Sequence, residues 1–401
     1  MRVAIVSTFP PRACGIATFA ADVRRSLATN EAVSSVISVP VVEGPPSTDA
    51  SVVEIEQAAL PSYADAARSL DDLRPDVVVV QHEYGIYGGA DGEYVLAFAD
   101  QVAQPMVVTL HTVLSRPSRG QARVLAALCD SAARVVVMTE TAKRLLVAGG
   151  ACEVAKIRVV PHGAPPVLAR RASEVVARLQ AGDARARSDR GCRRFVLSTF
   201  GLLSAGKGIE TMIAAMPAIL ETHPELVYIV AGQTHPEVAK RDGEHYRLSL
   251  EALTRRLGLA NHVQFDDRFL SIEEIADLLA VTDVFVTPYR ELEQISSGAL
   301  TFGIAAGCAV VSTPYWYAKD VLASGAGTIV SFADVASLSN AILSYLNDPA
   351  LLKAAREEAR RGASRLAWPA VAAATVEVLQ EAADRTSPGM MLANELVGLA
   401  S

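Results

Sequence analysis

The sequence has few cysteines and no long hydrophobic run. Its 401 residues include five scattered cysteines, none in a Cys-x-x-Cys pair: Cys14, Cys129, Cys152, Cys192 and Cys308. Such a set is typical of free thiols in a reducing compartment. No apolar segment approaches the roughly 20 residues of a transmembrane helix, and the N-terminal apolar stretch is too short for a secretion signal. We therefore expect a soluble, cytoplasmic protein with no transmembrane segment.

Basic residues and metal-binding patterns are also scarce. Lysine and arginine number 37 against 44 aspartates and glutamates, and the net charge of −7 disfavours a nucleic-acid-binding surface. The seven histidines are dispersed, so we expect no catalytic metal and no cofactor. The Gly-x-Ser-x-Gly motif of many hydrolases is missing as well. What remains is a globular protein whose partners are small molecules.

Short Val- and Ile-rich runs alternate with longer amphipathic stretches along most of the chain. Continuous runs such as "DVVVVQH" and "ARVVVMT" predict strands that are buried on both faces of a parallel sheet. The pattern stops in a charged segment and then restarts. We predict an α/β fold with two Rossmann-like doubly wound domains facing across a cleft. The predicted segments are an N-terminal domain at 1–165, a linker at 166–192, a C-terminal domain at 193–365, a helix crossing back to the N-terminal domain at 366–385, and a tail at 386–401.

The stretch "GLLSAGKGIE" follows a predicted strand and begins a helical pattern. Gly201, Gly206 and Lys207 would combine backbone N–H groups at a helix start with one ammonium, an arrangement that binds phosphate. It is not a Walker loop, because Gly208 replaces the Ser or Thr that binds Mg²⁺. A surface lysine after an ordinary turn is the simpler alternative. We favour the phosphate site, because glycines, strand end and helix start coincide.

A second Gly- and Ser-rich stretch, "QISSGALTFGIAAG", also leads into a predicted helix. Ser296, Ser297 and Gly298 are candidates to offer hydroxyl and N–H groups to a sugar or phosphate. Plain helix capping by serine is the alternative interpretation.

Two histidines lie at predicted strand ends. His111 ends a buried strand in "VVTLHT", where an imidazole can donate to a sugar hydroxyl or to a departing oxyanion. His82, followed by Glu83, is a second candidate. Both positions also suit a histidine of the core. His162, in "VVPHG", is interpreted as structural.

Together these motifs resemble the retaining glycosyltransferases of the GT-B fold, of the group 1 or family 4 type. The resemblance extends over nearly the whole chain. It rests on "PPRACGIA", "VVTLHT", "VVVMTETAKRLL", "IRVVPHG", "GLLSAGKGIETMIAAM", "LVYIVAGQTH", "DLLAVTDVFVTPY" and "GIAAGCAVVSTP". The resemblance implies transfer of a hexosyl group from a nucleotide-sugar donor to a hydroxyl acceptor, with retained anomeric configuration and without a metal.

The resemblance also implies roles for individual residues of the donor site. Lys207 matches the lysine that neutralises the donor's phosphates, and Gly201 matches the glycine that begins the donor loop. His111 matches the histidine that contacts the transferred sugar. We expect these residues, with those of the second Gly- and Ser-rich stretch, to bind the donor.

On the acceptor side the resemblance points to the N-terminal domain. The acceptor is expected to dock near Gly15 and Ile16, and we add His82 and Tyr84 as further candidate contacts. The acceptor would be a sugar or another molecule with a hydroxyl group. No sequence feature indicates an oligomeric state.

The sequence departs from the family pattern at two donor contacts. Leu202 stands where the family usually has an arginine for the phosphates, and Gln294 and Phe302 stand where it has two glutamates. The second of those glutamates usually holds the donor's ribose. Arg268 and Arg290, each near the end of a predicted strand, are the candidates to supply the missing positive charge.

These departures leave two alternatives to the transferase. The segment "EQISSGAL" is similar to the Glu-Ala-Ser-Gly loop of sugar phosphorylases on the same fold, which use inorganic phosphate or a sugar 1-phosphate. Lys207 and a serine-rich helix start would suit a single phosphate. A non-catalytic sugar-binding protein is the other alternative.

Overall fold

The computed structural model describes residues 1–47, 52–180 and 194–384. Contacts divide the chain into two units, one with Met1–Pro161 and the chain from Trp368 onward, the other with His162–Ala367. The tail expected at 386–401 and Cys192 lie outside the described residues. Within the described ranges, no helix has both the length and the apolar character that crossing a membrane requires.

The first unit is built on a seven-stranded sheet whose strand pairings are all parallel. The strands are β1 (Arg2–Ser7), β2 (Ser35–Val42), β3 (Ile55–Glu56), β4 (Val77–His82), β5 (Met106–Leu110), β6 (Arg134–Val137) and β7 (Ile157–Val159). They lie in the order β3-β2-β1-β4-β5-β6-β7. The order reverses between β1 and β4, and open α/β sheets bind ligands at the carboxyl ends of the strands beside such a reversal.

Helices join these strands. They are α1 (Gly15–Ala28), α2 (Leu60–Leu73), α3 (Val95–Ala99), α4 (Arg119–Ser131) and α5 (Glu140–Ala148). The central strands are fully covered: Val3–Val6 of β1 and Val77–Val80 of β4 are at most 2 % exposed. This burial confirms the prediction that uninterrupted Val and Ile runs form strands covered on both faces.

The second unit repeats the architecture with six strands, again all parallel. They are β8 (Val196–Phe200), β9 (Val227–Ala231), β10 (Val263–Asp266), β11 (Val284–Thr287), β12 (Ala309–Ser312) and β13 (Gly327–Ile329), in the order β10-β9-β8-β11-β12-β13. The helices are α6 (Val167–Gln180), α7 (Ile209–Leu220), α8 (Pro236–Asp242), α9 (His245–Arg256), α10 (Ile272–Val281), α11 (Gly298–Ala305), α12 (Trp316–Leu322), α13 (Val335–Asn347) and α14 (Pro349–Leu366).

Helix α7 follows the glycine loop of interest and is firmly packed. Ile209, Met212, Ile213 and Met216 are each 0 % exposed. Their spacing of three and four residues places them on one helix face, which packs into the core of the second unit. The start of α7, and with it the preceding loop, is therefore fixed in position by hydrophobic packing.

The segment predicted as a linker contains an ordered helix of the second unit. Helix α6 packs against α10, and Arg171 of α6 pairs with Asp277 of α10 at 3.3 Å. Leu168 and Ala172, four residues apart, are buried. The linker prediction, which allowed for some helix, rested on the many charged residues of this segment, whereas two buried residues one turn apart are enough to dock a helix. Residues 181–193 lie outside the described residues.

The last described helix, α15 (Trp368–Asp384), packs against α1 in the first unit. The Trp368 indole N–H donates to Asp22 of α1 at 3.2 Å. Near the other end of α15, Glu381 accepts hydrogen bonds from Arg134 of β6 at 2.8 Å and from Arg158 of β7 at 2.6 Å. The first unit thus includes a helix that comes after the second unit in the sequence.

Candidate functional site

The loop after β8 in the second unit is held by the loop after β9. The N–H of Gly201 donates to the carbonyl of Ala231 at 2.9 Å, and the N–H of Leu203 donates to that of Gln233 at 2.8 Å. The chain then makes a single 3₁₀ turn that ends at Lys207, two residues before α7. Because β8 and β9 are parallel neighbours, both loops lie at the carboxyl edge of the sheet, where ligands bind in this class of fold.

The segment after β11 packs closely against the same loop. Gly208 has a φ of +61°, a left-handed conformation that favours glycine. A Cβ atom at Gly208 would lie only 2.1 Å from the carbonyl oxygen of Pro288. Two residues further on, the N–H of Arg290 donates to the carbonyl of Gly206 at 2.9 Å. The glycines therefore allow two distant parts of the chain to meet around Lys207.

Lys207 lies in a partly buried, aromatic environment. Its ammonium is 4.0 Å from the centre of the Tyr289 ring, within the range of a cation–π contact. Burial lowers the pKa of Lys207 to about 8, and the nearby Glu291 carboxylate opposes that shift. Lys207 therefore remains mostly protonated at neutral pH. An anion bound nearby would stabilise this protonated form.

Arg290 is the arginine that the structure brings to the Lys207 loop. Besides its backbone contact to the loop, its guanidinium donates to Glu210, in the first turn of α7, at 2.9 Å. The second carboxylate oxygen of Glu210 accepts a hydrogen bond from the Tyr246 hydroxyl at 2.7 Å. Arg290 is about half exposed, so a ligand can reach it. Arg290 thus adds a second cationic residue beside the glycine loop that contains Lys207.

Arg268, the other candidate for the missing charge, is engaged elsewhere. Two of its nitrogens donate to Asp266 at 2.9 and 2.7 Å, and a third donates to Glu274 at 2.7 Å. These carboxylates raise the pKa of Arg268 and leave the cluster with a net negative charge. Arg268 follows β10. Because β9 lies between β10 and β8, roughly 10 Å separates β10 from β8. A phosphate is therefore not favoured at Arg268.

A cavity of about 220 Å³ adjoins Arg268 at the carboxyl ends of β9 and β10. Its lining is mixed, with aliphatic side chains facing three carboxylates. The lining residues are Ile229, Ala231, Asp266, Arg268, Leu270, Glu274, Asp277 and Leu278. Phe269, next to this lining in sequence, is 53 % exposed. A partly apolar cavity of this kind is suited to a flat ring system.

The second Gly- and Ser-rich stretch begins α11, after the strand next to β8 in the sheet. The Ser297 hydroxyl accepts the N–H of Leu300 at 3.3 Å and so caps the helix. Gln294 donates its side-chain amide to the carbonyl of Ser296 at 2.9 Å. Gly298 lies at the start of the helix. Ser297 therefore acts as a helix cap in this structure, and the role of these residues in donor binding stays a prediction.

Phe302, which stands in place of the family's ribose-binding glutamate, belongs to an aromatic cluster. Its ring is stacked with Phe200 at 6.2 Å and meets His162 edge-on at 6.2 Å. Burial lowers the pKa of His162 to about 4. A carboxylate at position 302 would be costly among these rings, so the substitution fits its surroundings.

In the first unit, His111 is fixed by two contacts at the carboxyl end of β5. Its Nε2 atom lies 2.8 Å from Oε1 of Gln81 at the end of neighbouring β4. Phe19 of α1 meets the imidazole edge-on, with ring centres 4.7 Å apart. His111 is 5 % exposed and Gln81 is 1 % exposed. The position and orientation of His111 are therefore set by neighbours on two elements.

His82 and Tyr84 differ sharply in what they can offer a ligand. His82 is 0 % exposed, and burial lowers its pKa to about 4. The structure thus places His82 inside the unit rather than on a docking surface. Tyr84 is partly exposed, and burial raises its pKa to about 12. Between them, Glu83 accepts hydrogen bonds from the Thr112 hydroxyl and from the N–H of Tyr84, and burial raises its pKa.

Gly15 and Ile16 form the first turn of α1. Gly15 is exposed, and the helix is capped by Cys14, whose sulfur accepts the N–H of Ala17 at 3.3 Å. One turn further, Phe19 touches the His111 ring. The structure therefore brings the start of α1 and the end of β5 to the same edge of the first sheet.

Two residues at these sites were not assigned a role from the sequence. Tyr289 packs against the Lys207 ammonium, and Gln81 contacts His111. Each is 30 or more residues away in sequence from the residue that it contacts. In the sequence, these residues could be recognised only by their position near the ends of predicted strands. That position does not indicate which side chains they contact. In the part of the chain that the structure describes, no group of three or more His, Cys, Asp or Glu side chains is arranged to hold a metal ion.

Two family models match the chain. The model described as "Glycosyl transferases group 1" matches residues 184–362, and the model described as "Glycosyltransferase Family 4" matches residues 15–167. Among curated proteins, the glycogen synthase of Mycobacterium tuberculosis (strain H37Rv) is 31 % identical over 182 residues. That match covers 44 % of this chain and 40 % of the synthase.

Solved structures match over almost the whole chain. Sucrose-phosphate synthase from Thermosynechococcus elongatus superimposes with a TM-score of 0.75 at 18 % identity, covering 95 % of this chain and 98 % of the synthase. Anabaena Alr3699/HepE in complex with UDP gives a TM-score of 0.72 at 18 % identity, covering 95 % and 100 %. At such low identity these likenesses show the fold alone, and they confirm the GT-B fold. Since the two family models together span most of the chain, it belongs to the group 1 glycosyltransferases.

Proposed function

We propose that the protein transfers a hexosyl group from a nucleotide-sugar donor to a hydroxyl acceptor. The observation on which this depends is the pair of cations, Lys207 and Arg290, at the glycine loop before α7. N–H groups at a helix start and side-chain cations both favour phosphate. The family usually has a phosphate-binding arginine at the position of Leu202, and we propose that Arg290 takes over its role.

Two cations suit a diphosphate better than a single phosphate. A nucleoside diphosphate carries charge on two adjacent phosphates. Lys207 lies within the loop, between Gly206 and Gly208, and Arg290 packs against that loop. In the unliganded protein each cation has a carboxylate nearby, Glu291 for Lys207 and Glu210 for Arg290. The ion pair with Glu210 and the contact with Tyr289 already restrict these two side chains, which reduces the cost of ordering them when a diphosphate binds.

The nucleoside portion of the donor would extend from the glycine loop toward the cavity beside Arg268. The strands β8 and β10 are two positions apart in the sheet, or roughly 10 Å, which is about the length of a ribose with its attached phosphate. The exposed ring of Phe269 and the aliphatic lining of the cavity would contact a base, and the carboxylates there would accept its N–H groups.

The proposed chemistry is stabilisation of the leaving group. As the bond from the sugar to the phosphate breaks, negative charge grows on the diphosphate, and Lys207 and Arg290 are fixed to stabilise it. We propose retention of configuration, with the acceptor hydroxyl approaching the face that the diphosphate leaves and passing its proton to a phosphate oxygen. No metal takes part in this proposal. In the first unit, we propose that His111 contacts the transferred sugar and that the start of α1 at Gly15 and Ile16 contacts the acceptor.

The curated relatives support this chemistry in kind. The lipopolysaccharide core biosynthesis mannosyltransferase LpcC of Rhizobium leguminosarum bv. viciae, 28 % identical over 172 residues, transfers a sugar by name, and the glycogen synthase is named for making a polysaccharide. Alr3699/HepE is known in complex with UDP-glucose. These are reasons to test UDP first among the nucleotides.

Isothermal titration of the purified protein tests the proposal. UDP, GDP and ADP are titrated separately, and inorganic phosphate and glucose 1-phosphate are titrated in parallel. We expect at least one nucleoside diphosphate to bind in the micromolar range, and Lys207→Ala to weaken that binding. Binding of phosphate or glucose 1-phosphate with no binding of any nucleotide would instead support a phosphorylase. Nucleotide binding without turnover of any nucleotide-sugar would favour a non-catalytic sugar-binding protein.

A further inference from the structure

Gln81 is a buried polar residue with a specific partner at the candidate site of the first unit. It is the fifth of six residues of β4 and is paired in register with Thr109 of β5. Two residues beyond Thr109, the His111 ring lies within hydrogen-bonding distance of the Gln81 side chain, at 2.8 Å. Side chains two apart on a strand share a face of the sheet. The contact is thus a direct consequence of the β4–β5 register.

The contact between Oε1 of Gln81 and Nε2 of His111 determines which ring nitrogen of His111 carries the proton. The Oε1 atom of a glutamine side chain is a carbonyl oxygen and can only accept a hydrogen bond. With Oε1 of Gln81 facing Nε2 of His111, Nε2 must donate. A neutral imidazole has one N–H group, so its Nδ1 atom then acts as an acceptor.

Gln81 itself is well anchored. Its backbone carbonyl accepts a hydrogen bond from the Tyr87 hydroxyl at 2.7 Å, and β4 is paired on both sides, with β1 and with β5. Phe19 prevents the His111 ring from turning freely by meeting it edge-on. Both contacts restrict the orientation of the ring.

We propose that Gln81 is a positioning residue that holds His111 in the Nε2–H tautomer, so that His111 meets its ligand through Nδ1 as a hydrogen-bond acceptor. An acceptor nitrogen selects a hydroxyl group and disfavours an oxyanion. In the glycosyl transfer proposed above, on which this part of the inference rests, Nδ1 would face a hydroxyl of the transferred sugar. The leaving diphosphate would be stabilised elsewhere, by the cations of the second unit.

The first experiment reads the tautomer directly and does not depend on turnover. The full chain is labelled with ¹⁵N-histidine, and the ring signals of His111 are assigned by their loss in His111→Asn. We expect the wild type to carry its proton on Nε2, and Gln81→Leu, which has similar volume and no acceptor, to lose that preference. Tyr87→Phe is the matched control, since it removes the hydroxyl bonded to the backbone of Gln81 but keeps the side chain, and it should retain the tautomer.

The second experiment measures the consequence for activity. With a nucleotide-sugar donor, Gln81→Leu should lower kcat at least tenfold and change KM less than threefold, because the ring is misdirected rather than removed. Gln81→Glu places a carboxylate beside the ring and favours its protonated form. The acidic limb of the kcat/KM profile should therefore move to higher pH by about one unit or more. Among the contacts described above, Phe19 lies against the ring, and the carboxyl of Glu83 is hydrogen-bonded to Thr112, the residue after His111.

The outcomes separate this inference from the proposed function. A wild-type ring protonated on Nδ1, or a Gln81→Leu ring still protonated on Nε2, would overturn the role of Gln81 whatever the activity shows. A changed tautomer with unchanged kcat and an unshifted pH profile would overturn the role of Nδ1 toward the substrate. Failure of the wild type to act on any nucleotide-sugar would count against the proposed function alone, since the tautomer measurement decides the role of Gln81 independently.

Discussion

The central prediction concerns the charge of Lys207. Replacing Lys207 with alanine removes the ammonium but leaves Arg290 and the glycine loop in place. A hydrogen bond between a charged donor and a phosphate contributes about 1.5–3 kcal/mol, which corresponds to roughly a 10- to 150-fold loss of nucleotide affinity. The contact should strengthen further as charge develops on the leaving group. We therefore expect kcat/KM to fall at least 100-fold.

The lowered pKa of Lys207 adds a pH signature. With a pKa of about 8, the ammonium is largely present at pH 7 and largely lost at pH 9.5. A bound diphosphate stabilises the protonated form, so affinity should decline as pH rises through about 8. The terminal phosphate of the ligand titrates near pH 6, so it does not contribute between pH 7.5 and 9.5. Lys207→Arg, which keeps its charge over this range, should abolish the pH dependence whatever its affinity.

The assay is isothermal titration with the nucleotide that binds the wild type, followed by initial rates with the matching nucleotide-sugar. Lys353→Ala is the control, because it removes one positive charge from a 75 % exposed position of the same unit. Its affinity and rates should match those of the wild type. Near-native kcat/KM in a folded Lys207→Ala protein would refute the phosphate role of Lys207. A nucleotide affinity that does not change between pH 7.5 and 9.5 would refute the claim that Lys207 binds the phosphates with a lowered pKa.

Two further predictions concern the surroundings of Lys207. Arg290→Ala should weaken binding of inorganic diphosphate about tenfold. Arg268→Ala should leave the affinity within twofold of the wild type, because Asp266 and Glu274 already engage Arg268. Equal losses for the two variants would show that the phosphates do not bind beside Arg290. Gly208→Ala should cost at least 2 kcal/mol more in urea unfolding than Gly258→Ala. Both glycines have positive φ, but only a Cβ at Gly208 would meet backbone, at 2.1 Å. Similar losses for the two variants would show that the close approach at Gly208 is unimportant.

Much of the fold could be predicted from local sequence. Runs such as Val77–Val80 and Val284–Val286 are apolar at every position, and only a strand covered on both faces makes use of that pattern. Strand β2 (Ser35–Val42) was not identified, since serines and Pro40 interrupt its apolar residues and its inner position between β1 and β3 depends on pairing. Helix α6 was interpreted as part of a linker for a similar reason, since its charged residues outnumber the few that dock it.

The candidate site could be predicted only in part. The glycine loop with Lys207 was found because a strand end, glycines and a helix start are adjacent in sequence, and backbone geometry follows from such local patterns. The sequence did not decide between Arg268 and Arg290 as the second cation. That choice depends on which carboxylates lie near each arginine, and the partner of Arg290, Glu210, is 80 residues away.

By itself, then, the sequence determined two parallel α/β units and the glycine loop between β8 and α7, because residue periodicity and glycine placement act over a few neighbouring positions. Only the tertiary structure decided that Arg290 joins Lys207, that His82 is enclosed, and that Gln81 orients His111. The physical reason is that charge pairing, burial and strand register depend on residues 30 to 80 positions apart, and their distances are set only when the sheets form.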